Sequence, residues 1–259
     1  MKCLVTGHNG FIGKNLLNHL TTDEVTTLEK DFLLDENWEK KLIEYVDSVD
    51  VIFHIGAISD TSLQDYNEML KYNYYFSTKL FDYAQLKNKR VVYSSSAAIY
   101  GTSGLPTNIY GWSKLMAEDY GMKTCDKFIS LRYFNVYGPG EEHKGKMASV
   151  VYQAHKRGDF KLFPGKPKRD FIYVYDVVTA NLMGASASKG IYEVGSGETN
   201  TFESMLESFN VPYTYHSKDM IPSWYQYNTK ADKSKWIPGW KPNYSLQKGL
   251  KNYREYLSK

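Results

Sequence analysis

The segment KCLVTGHNGFIGKNLLNHL, Lys2 to Leu20, constrains the fold more than any other. KCLVTG is a short apolar run that ends in glycine, the pattern of a buried strand. Directly after it, Phe11, Ile12, Leu16, Leu17 and Leu20 recur at helical spacing. A strand that turns through glycines into an amphipathic helix opens a βα unit. The rhythm then repeats. Val25 to Leu28 reads as a second strand, and ENWEKKLIEYV as a helix with Trp38, Leu42, Ile43 and Val46 on one face. DVIFHIGA, RVVYSSS and KFISLRYFNVYG read as further strands, separated by the helices MLKYNYYFSTKLFDYAQLK and IYGWSKLMAEDYGMK. Strands alternating with helices predict an α/β fold with a doubly wound parallel sheet.

After Gly138 the rhythm breaks. GPGEEHKGKM and FPGKPKRD are loops rich in glycine, proline and charge, and Thr199 to Lys259 is shorter in period and rich in Trp and Tyr. A smaller C-terminal substrate domain is expected there. The expected division gives 1–138 and 170–190 to the nucleotide-binding domain, and 139–169 and 191–259 to the substrate-binding domain. There are no internal repeats and no low-complexity tract. With 42% hydrophobic and 24% charged residues the chain is globular rather than disordered. A net charge of +3 without a basic block argues against nucleic acid as a partner. No apolar run approaches a membrane span. Cys3 and Cys125 are the only cysteines, which fits a reducing compartment and argues against a disulfide scaffold or a cysteine-ligated zinc site. The strand-like start at Lys2 leaves no room for a signal peptide, so the chain is expected to be cytoplasmic. No His, Cys or Asp spacing suggests a metal.

The loop TGHNGFIG places Gly7, Gly10 and Gly13 between the first strand and the first helix. Glycine lets the backbone turn sharply and approach a pyrophosphate, and the amides of Phe11 and Ile12 at the helix start would face the phosphates. The spacing is GxxGxxG, so its weight comes from the strand before and the helix after. These features point to a Rossmann-like sheet that holds NAD or NADP. Glu29, at the end of the second strand, would accept hydrogen bonds from the adenosine ribose and repel the extra phosphate of NADP; Lys30 beside it would do the reverse. Both also read as a solvated surface pair. Gly56 and Ala57 would pass close to the cofactor. Asn73, polar on an aromatic helix face, is either a cofactor neighbour or a helix-packing group. His54 reads as a satisfied strand histidine, and His8 as decoration of the loop.

Tyr110 and Lys114 stand four residues apart on one helix face. A free tyrosine titrates near 10. An adjacent ammonium and the positive nicotinamide ring would lower that value toward neutrality and make Tyr110 a general acid/base. Ser96, at a strand end on the ligand edge, would share the reacting oxygen. Taken alone, YxxxK is a common helix-surface pair among 23 tyrosines.

In combination, TGHNGFIG, SSSAAIYG, YGWSK, LRYFNVYGPG and RDFIYVYDV resemble the extended short-chain dehydrogenase/reductase superfamily over nearly the whole chain. IFHIGAISDT, RYFNVYGPGEEHKGKMASV and KRDFIYVYDVV are similar, more narrowly, to the ADP-L-glycero-D-manno-heptose 6-epimerases, HKGKMASV being the most specific stretch. The resemblance implies that Tyr110 is the catalytic tyrosine, with Lys114 its partner and Ser96 its hydroxyl neighbour. It makes Lys144 the second acid/base, Asn135 and Tyr225 substrate contacts, and Arg169 the grip on the substrate diphosphate, a task suited to guanidinium geometry. The implied chemistry is redox-neutral: hydride leaves the sugar carbon and returns to its other face while Tyr110 and Lys144 handle protons. Another nucleotide-sugar 4-epimerase, a dehydratase or a non-enzymatic cofactor-binding protein are the alternatives. Dehydratases of this kind usually carry an Asp-Glu pair where this chain has Ala97-Ala98, and non-enzymatic relatives usually lose the Tyr–Lys pair. A homo-oligomer is expected.

Two departures matter. Relatives carry a longer loop between the serine and the tyrosine, where this chain has thirteen residues, 97–109. The segment after Glu29 lacks the lysine-bearing loop that holds the NADP phosphate in the heptose family, so the residues lean toward NAD. Asp31 and Asp35 either reach the adenine or cap the next helix. Lys144 by itself reads as part of a solvated charge cluster. Trp224, Tyr227, Trp236 and Trp240 read as core.

Overall fold

A computed structural model describes residues 1–20, 24–63, 65–222 and 225–259, and Trp224 lies outside the described residues. The strands in chain order are β1 (Cys3–Thr6), β2 (Val25–Leu28), β3 (Val51–His54), β4 (Arg90–Ser96), β5 (Phe128–Tyr133) and β6 (Asn135–Tyr137). They continue with β7 (Phe160–Leu162), β8 (Lys168–Arg169), β9 (Phe171–Tyr173), β10 (Gly190–Val194), β11 (Asn200–Thr201) and β12 (Tyr213–Tyr215). The helices are α1 (Phe11–Leu17), α2 (Trp38–Asp47), α3 (Tyr66–Leu70), α4 (Phe76–Leu86) and α5 (Ile109–Thr124). They are followed by α6 (Val150–Arg157), α7 (Val174–Gly184), α8 (Phe202–Glu207) and α9 (Leu246–Leu257).

A six-stranded sheet in the order β10-β5-β4-β3-β1-β2 forms the centre, every pair parallel. Strand alternation sends Cys3, Val5, Phe53, Val92 and Ile129 to one face, against Leu16 of α1 and Val177 and Val178 of α7. Leu4, Ile52, Val91, Tyr93 and Phe128 face the other way, against Leu42 of α2, Leu80 and Phe81 of α4 and Ala117 of α5. Both faces are covered, so the sheet is doubly wound and its strands read as continuous apolar runs. Each fully buried Leu, Ile or Phe contributes about 1.5–3 kcal/mol of hydrophobic burial. A separate core joins Tyr137, Val151, Phe171, Met205, Leu250 and Tyr253, beside the short pairs β6–β9 and β7–β12.

Three sequence expectations need correction. The run KFISLRYFNVYG is two strands, because the chain leaves the sheet at Phe134 and β6 pairs with β9 instead. The helix expected over 69–87 starts earlier, at Tyr66, and widens to a π turn over Lys71–Tyr75. A domain boundary at 190 would cut off β10, which is the sixth strand of the central sheet. This strand lies beyond Gly138, where the strand–helix rhythm of the sequence breaks. Among the described residues no helix is long and apolar enough to cross a membrane.

The winding reverses between β1 and β3. β1 leads into α1 on one face, while β3 leads toward α4 on the other. The strand ends diverge there, and a crevice opens beyond their carboxyl ends, where ligands of such sheets bind.

Candidate active site

A cleft of about 690 Å³ runs from the glycine loop to Tyr225. Gly7, Gly10, Phe11, Ile12 and Gly13 form one wall, with Glu29 and Lys30 at the end of β2 and Gly56 and Ala57 after β3. Gly7 has φ +68, and a Cβ there would lie 2.4 Å from the Gly56 Cα, so the two loops cross at a pair of glycines. α1 opens at Gly10 with no side-chain cap, leaving its first amides available to phosphate. The residues present thus fit a dinucleotide: a side-chain-free turn, uncapped amides and a carboxylate one strand away.

Glu29 Oε1 accepts a hydrogen bond from the Asn9 amide at 2.6 Å and stands 3.1 Å from His8 Nδ1. It braces the glycine loop as well as facing the cleft. Asp35 does not line the cleft. It accepts from the Asn37 amide at 2.8 Å and pairs with Lys41, so it staples the entry to α2.

The short loop after β4 brings the hydroxyls of Ser96 and Tyr110 to one cleft. A 3-10 turn at Ala97–Tyr100 reverses the chain, and Asn108 caps α5 by accepting from the Gly111 amide at 2.8 Å. Ser96 and Tyr110 then line the same cleft, and the Ser96 hydroxyl accepts from the Ala98 amide at 3.1 Å. Lys114 is 2% exposed, with Nζ 4.5 Å from the centre of the Tyr93 ring. Burial brings its pKa down to about 7, opposed by the Glu118 carboxylate. Tyr110 does not behave as its neighbour in sequence suggests. Burial pushes its pKa up, and the group that opposes this is Ser96 rather than Lys114. Lys114 is withdrawn from water while Tyr110 is half-buried at the cleft wall, and a lysine with its pKa near neutrality carries only part of its charge at neutral pH.

Asn73 also departs from expectation, for it does not line the cleft. It is 1% exposed; its Oδ1 accepts from the Ile58 amide at 2.8 Å, and its Nδ2 donates to the Ile58 carbonyl at 2.9 Å and to Ser113 Oγ at 3.0 Å. Ser113 in turn donates to the Tyr110 carbonyl at 2.8 Å. Asn73 therefore joins the cofactor wall to the first turn of α5. The chain of bonds extends to His54, whose Nδ1 meets Thr6 Oγ1 at 2.7 Å and whose Nε2 meets Ser77 Oγ at 2.8 Å. Thr6 Oγ1 accepts from the Gly56 amide, and Ser77 donates to the Asn73 carbonyl. These directions fix a neutral His54 with its proton on Nε2. Burial, and then the Lys114 charge, lower its pKa to about 3.

Lys144, Asn135 and Tyr225 complete the cleft. Lys144 approaches from the α1 side of the sheet, its Nζ 5.4 Å from the centre of the Phe11 ring. Burial lowers its pKa, and the Glu141 carboxylate opposes this. Arg169 is not itself at the cleft surface. Its guanidinium lies 5.4 Å from the centres of both the Phe202 and Tyr225 rings, held behind residues that are. Asp170 anchors this strand by accepting from the amides of Ser196, Gly197 and Ala231. Sequence reasoning missed the linings Ser95, Gln153, Phe163 and Phe202; only Phe202, after the capping Thr201, carried any local signal. Among the described residues no group of His, Cys, Asp and Glu could hold a metal. Trp240 lies in the core, with Trp236 packed on it, while Tyr227 is exposed.

A glycine-walled crevice lined by Ser96, Tyr110 and the buried Lys114 fits an NAD(P)-dependent enzyme of the epimerase class. Residues 3–195 match the NAD dependent epimerase/dehydratase family, and the chain belongs to it. It is 33% identical over 288 aligned positions to the ADP-L-glycero-D-manno-heptose-6-epimerase of Alkalilimnicola ehrlichii, covering 89% of each chain. The crystal structure of the Helicobacter pylori ADP-L-glycero-D-manno-heptose-6-epimerase superposes with a TM-score of 0.86 at 28% identity, covering 99% of this chain and 96% of that one. A Thermus thermophilus UDP-glucose 4-epimerase in complex with NAD shares the fold at a TM-score of 0.81 and 22% identity, over 100% of this chain and 99% of that one. The chain is a nucleotide-sugar epimerase that works with NAD or NADP.

Proposed function

We propose that the protein inverts one sugar carbon of an ADP-heptose or a close relative, with Tyr110 and Lys144 as its two proton-handling groups. The observation that carries this reading is the meeting of Ser96, Tyr110 and Lys144 in one cleft. Ser96 is the group that opposes the rise of the Tyr110 pKa, and Lys144 enters beside α1 rather than beside α5. The bound dinucleotide supplies a reversible hydride acceptor. Tyr110 exchanges a proton with the substrate hydroxyl, Ser96 holds that oxygen in line, and Lys114 lies buried one turn along the same helix. Lys144 serves the other face of the carbon. Each positioned proton transfer is worth about 10²–10⁴-fold in rate. Asn135 and Tyr225 contact the sugar nucleotide, and Arg169, stacked behind Tyr225, attracts its diphosphate.

The carboxylate of Glu29 favours NAD. The second lobe, around Met205, Leu250 and Tyr253, is assigned to substrate binding. The buried, unpaired thiols of Cys3 and Cys125 suit the cytoplasm. Exposed Leu86 on α4 and Trp112 and Met116 on α5 support a homo-oligomer. The function is tested by incubating the protein with ADP-heptose and other nucleotide sugars and following the configuration of the sugar carbons by NMR. Epimerised ADP-heptose is expected. Turnover of UDP-sugars with none of any ADP-sugar would replace this reading with a 4-epimerase or dehydratase.

A further inference from the structure

Lys144 sits in a segment that should hold a side chain poorly. Glu142 to Met147 form a 3-10 turn interrupted at Gly145, where φ is +53, and Gly140 just before it has φ +93. Glu142, His143, Gly145 and Lys146 are exposed, and no strand ladder supports them. One residue of the segment is different. Glu141 is fully buried, at 0% exposure. Its Oε1 accepts from the Gly138 amide at 3.2 Å and from the Ser149 hydroxyl at 2.7 Å, and its Oε2 accepts from the Ser149 amide. A single carboxylate thus ties the residue entering the loop to the residue leaving it. Ser149 is also the N-cap of α6, accepting from the Tyr152 amide at 3.2 Å. Within the loop, the Lys144 amide donates to the Glu141 carbonyl at 3.0 Å, joining lysine and clasp directly.

We propose that Glu141 is a positioning residue for Lys144: its buried carboxylate closes the loop and sets where the lysine meets the substrate. This rests on the two-base reading above. A buried carboxylate must be well bonded to be tolerated, and here the bonds converge on the backbone at both ends of the Lys144 loop. The C-terminal helix adds support. Tyr253 on α9 is buried beside Glu141, and after burial itself that carboxylate is the largest influence raising the Tyr253 pKa, with Glu142 and Tyr152 adding to it. The other charged or titratable groups around the segment are Glu142, His143 and Lys146, Asp60 bridged to Lys146 at 3.7 Å, and Tyr152 and Tyr256. Of these groups and Glu141, it is Glu141 that supports the charged form of Lys144 against burial.

The test compares the full-length protein, with its cofactor, as wild type, Glu141→Gln, Ser149→Ala and Lys144→Ala. Epimerisation kinetics, cofactor content and the pH dependence of Lys144 acetylation by acetic anhydride are measured, the last by peptide mass spectrometry. Glu141→Gln is expected to keep its cofactor and a near wild-type KM but to lose kcat by roughly tenfold to a hundredfold, the scale of a misplaced group. Its Lys144 should reach half-acetylation about one pH unit lower, because an opposite charge has gone. Ser149→Ala keeps the charge and loses two bonds, the hydroxyl's bond to Glu141 and the α6 cap on the Tyr152 amide, so kcat should fall severalfold with the acetylation midpoint unchanged. It also serves if Glu141→Gln does not fold. Wild-type kcat in either folded variant, or a loss of kcat in Glu141→Gln with no acetylation shift, overturns the proposal. Full activity in Lys144→Ala sinks the two-base reading instead, while the acetylation comparison still reports on Glu141.

Discussion

His54 offers a sharp test of the buried network. Its ring is fully buried and its two nitrogens are committed, Nδ1 as acceptor from Thr6 and Nε2 as donor to Ser77. Adding a proton at Nδ1 would displace the Thr6 hydroxyl and place a charge in the field of Lys114. The folded pKa is lowered to about 3, against about 6.5 for the unfolded chain. The sign follows directly: between these values the unfolded state binds the extra proton and the folded state does not. His54 therefore leaves stability whole above about pH 6.5 and costs about 1.4 kcal/mol for each pH unit below it, down to about 3. By pH 5 the loss is about 2 kcal/mol, a fall in Tm of about 4–8 °C for a chain of this size. Urea unfolding of wild type and His54→Gln between pH 8 and pH 5 measures it. Other groups titrate in both proteins, so the difference between the two curves isolates His54. That difference should shrink by about 2 kcal/mol from pH 8 to pH 5. Parallel curves would refute a neutral, buried histidine and the bond directions drawn from it.

Lys114 predicts a slope of the same sign at alkaline pH. Its folded pKa near 7 lies below the unfolded 10.4, so stability of the cofactor-free protein should rise by about 1.4 kcal/mol per pH unit from about 7 to 10. Lys114→Met should lack that slope in urea unfolding, and an equal slope in both proteins would contradict the assignment. Denaturing the purified protein and identifying the released dinucleotide by mass should yield NAD; NADP alone would refute the role given to Glu29.

The sequence exposes the parts of this site that depend on local pattern. TGHNGFIG could be read because a strand, a glycine turn and a helix are contiguous, and Gly7 meets its partner Gly56 at the adjoining strand end. Tyr110, Lys114 and Ser96 could be read because helix spacing and a strand end place them. Properties set by the surroundings were hidden. The Tyr110 pKa moves up because burial outweighs its neighbours, and burial of one side chain has no signature in spacing. Asn73 looked equally like a cofactor ligand and a packing group until Ile58 and Ser113 claimed its amide. Glu141 read as one more charge in GEEHKGK, because what distinguishes it from Glu142 is contact with Gly138 and Ser149 across a closed loop. β6 was merged with the strand before it because no glycine or proline marks the break at Phe134, and β10 lies beyond the point where the strand–helix rhythm of the sequence breaks.

The central claim is that two groups from different walls of one cleft handle the protons of a redox-neutral inversion. Epimerisation of ADP-heptose by Tyr110→Phe and by Lys144→Ala, followed by NMR with bound cofactor quantified in the same samples, tests it most directly. The account predicts that each variant retains the dinucleotide and loses epimerisation. Full activity in both would contradict it.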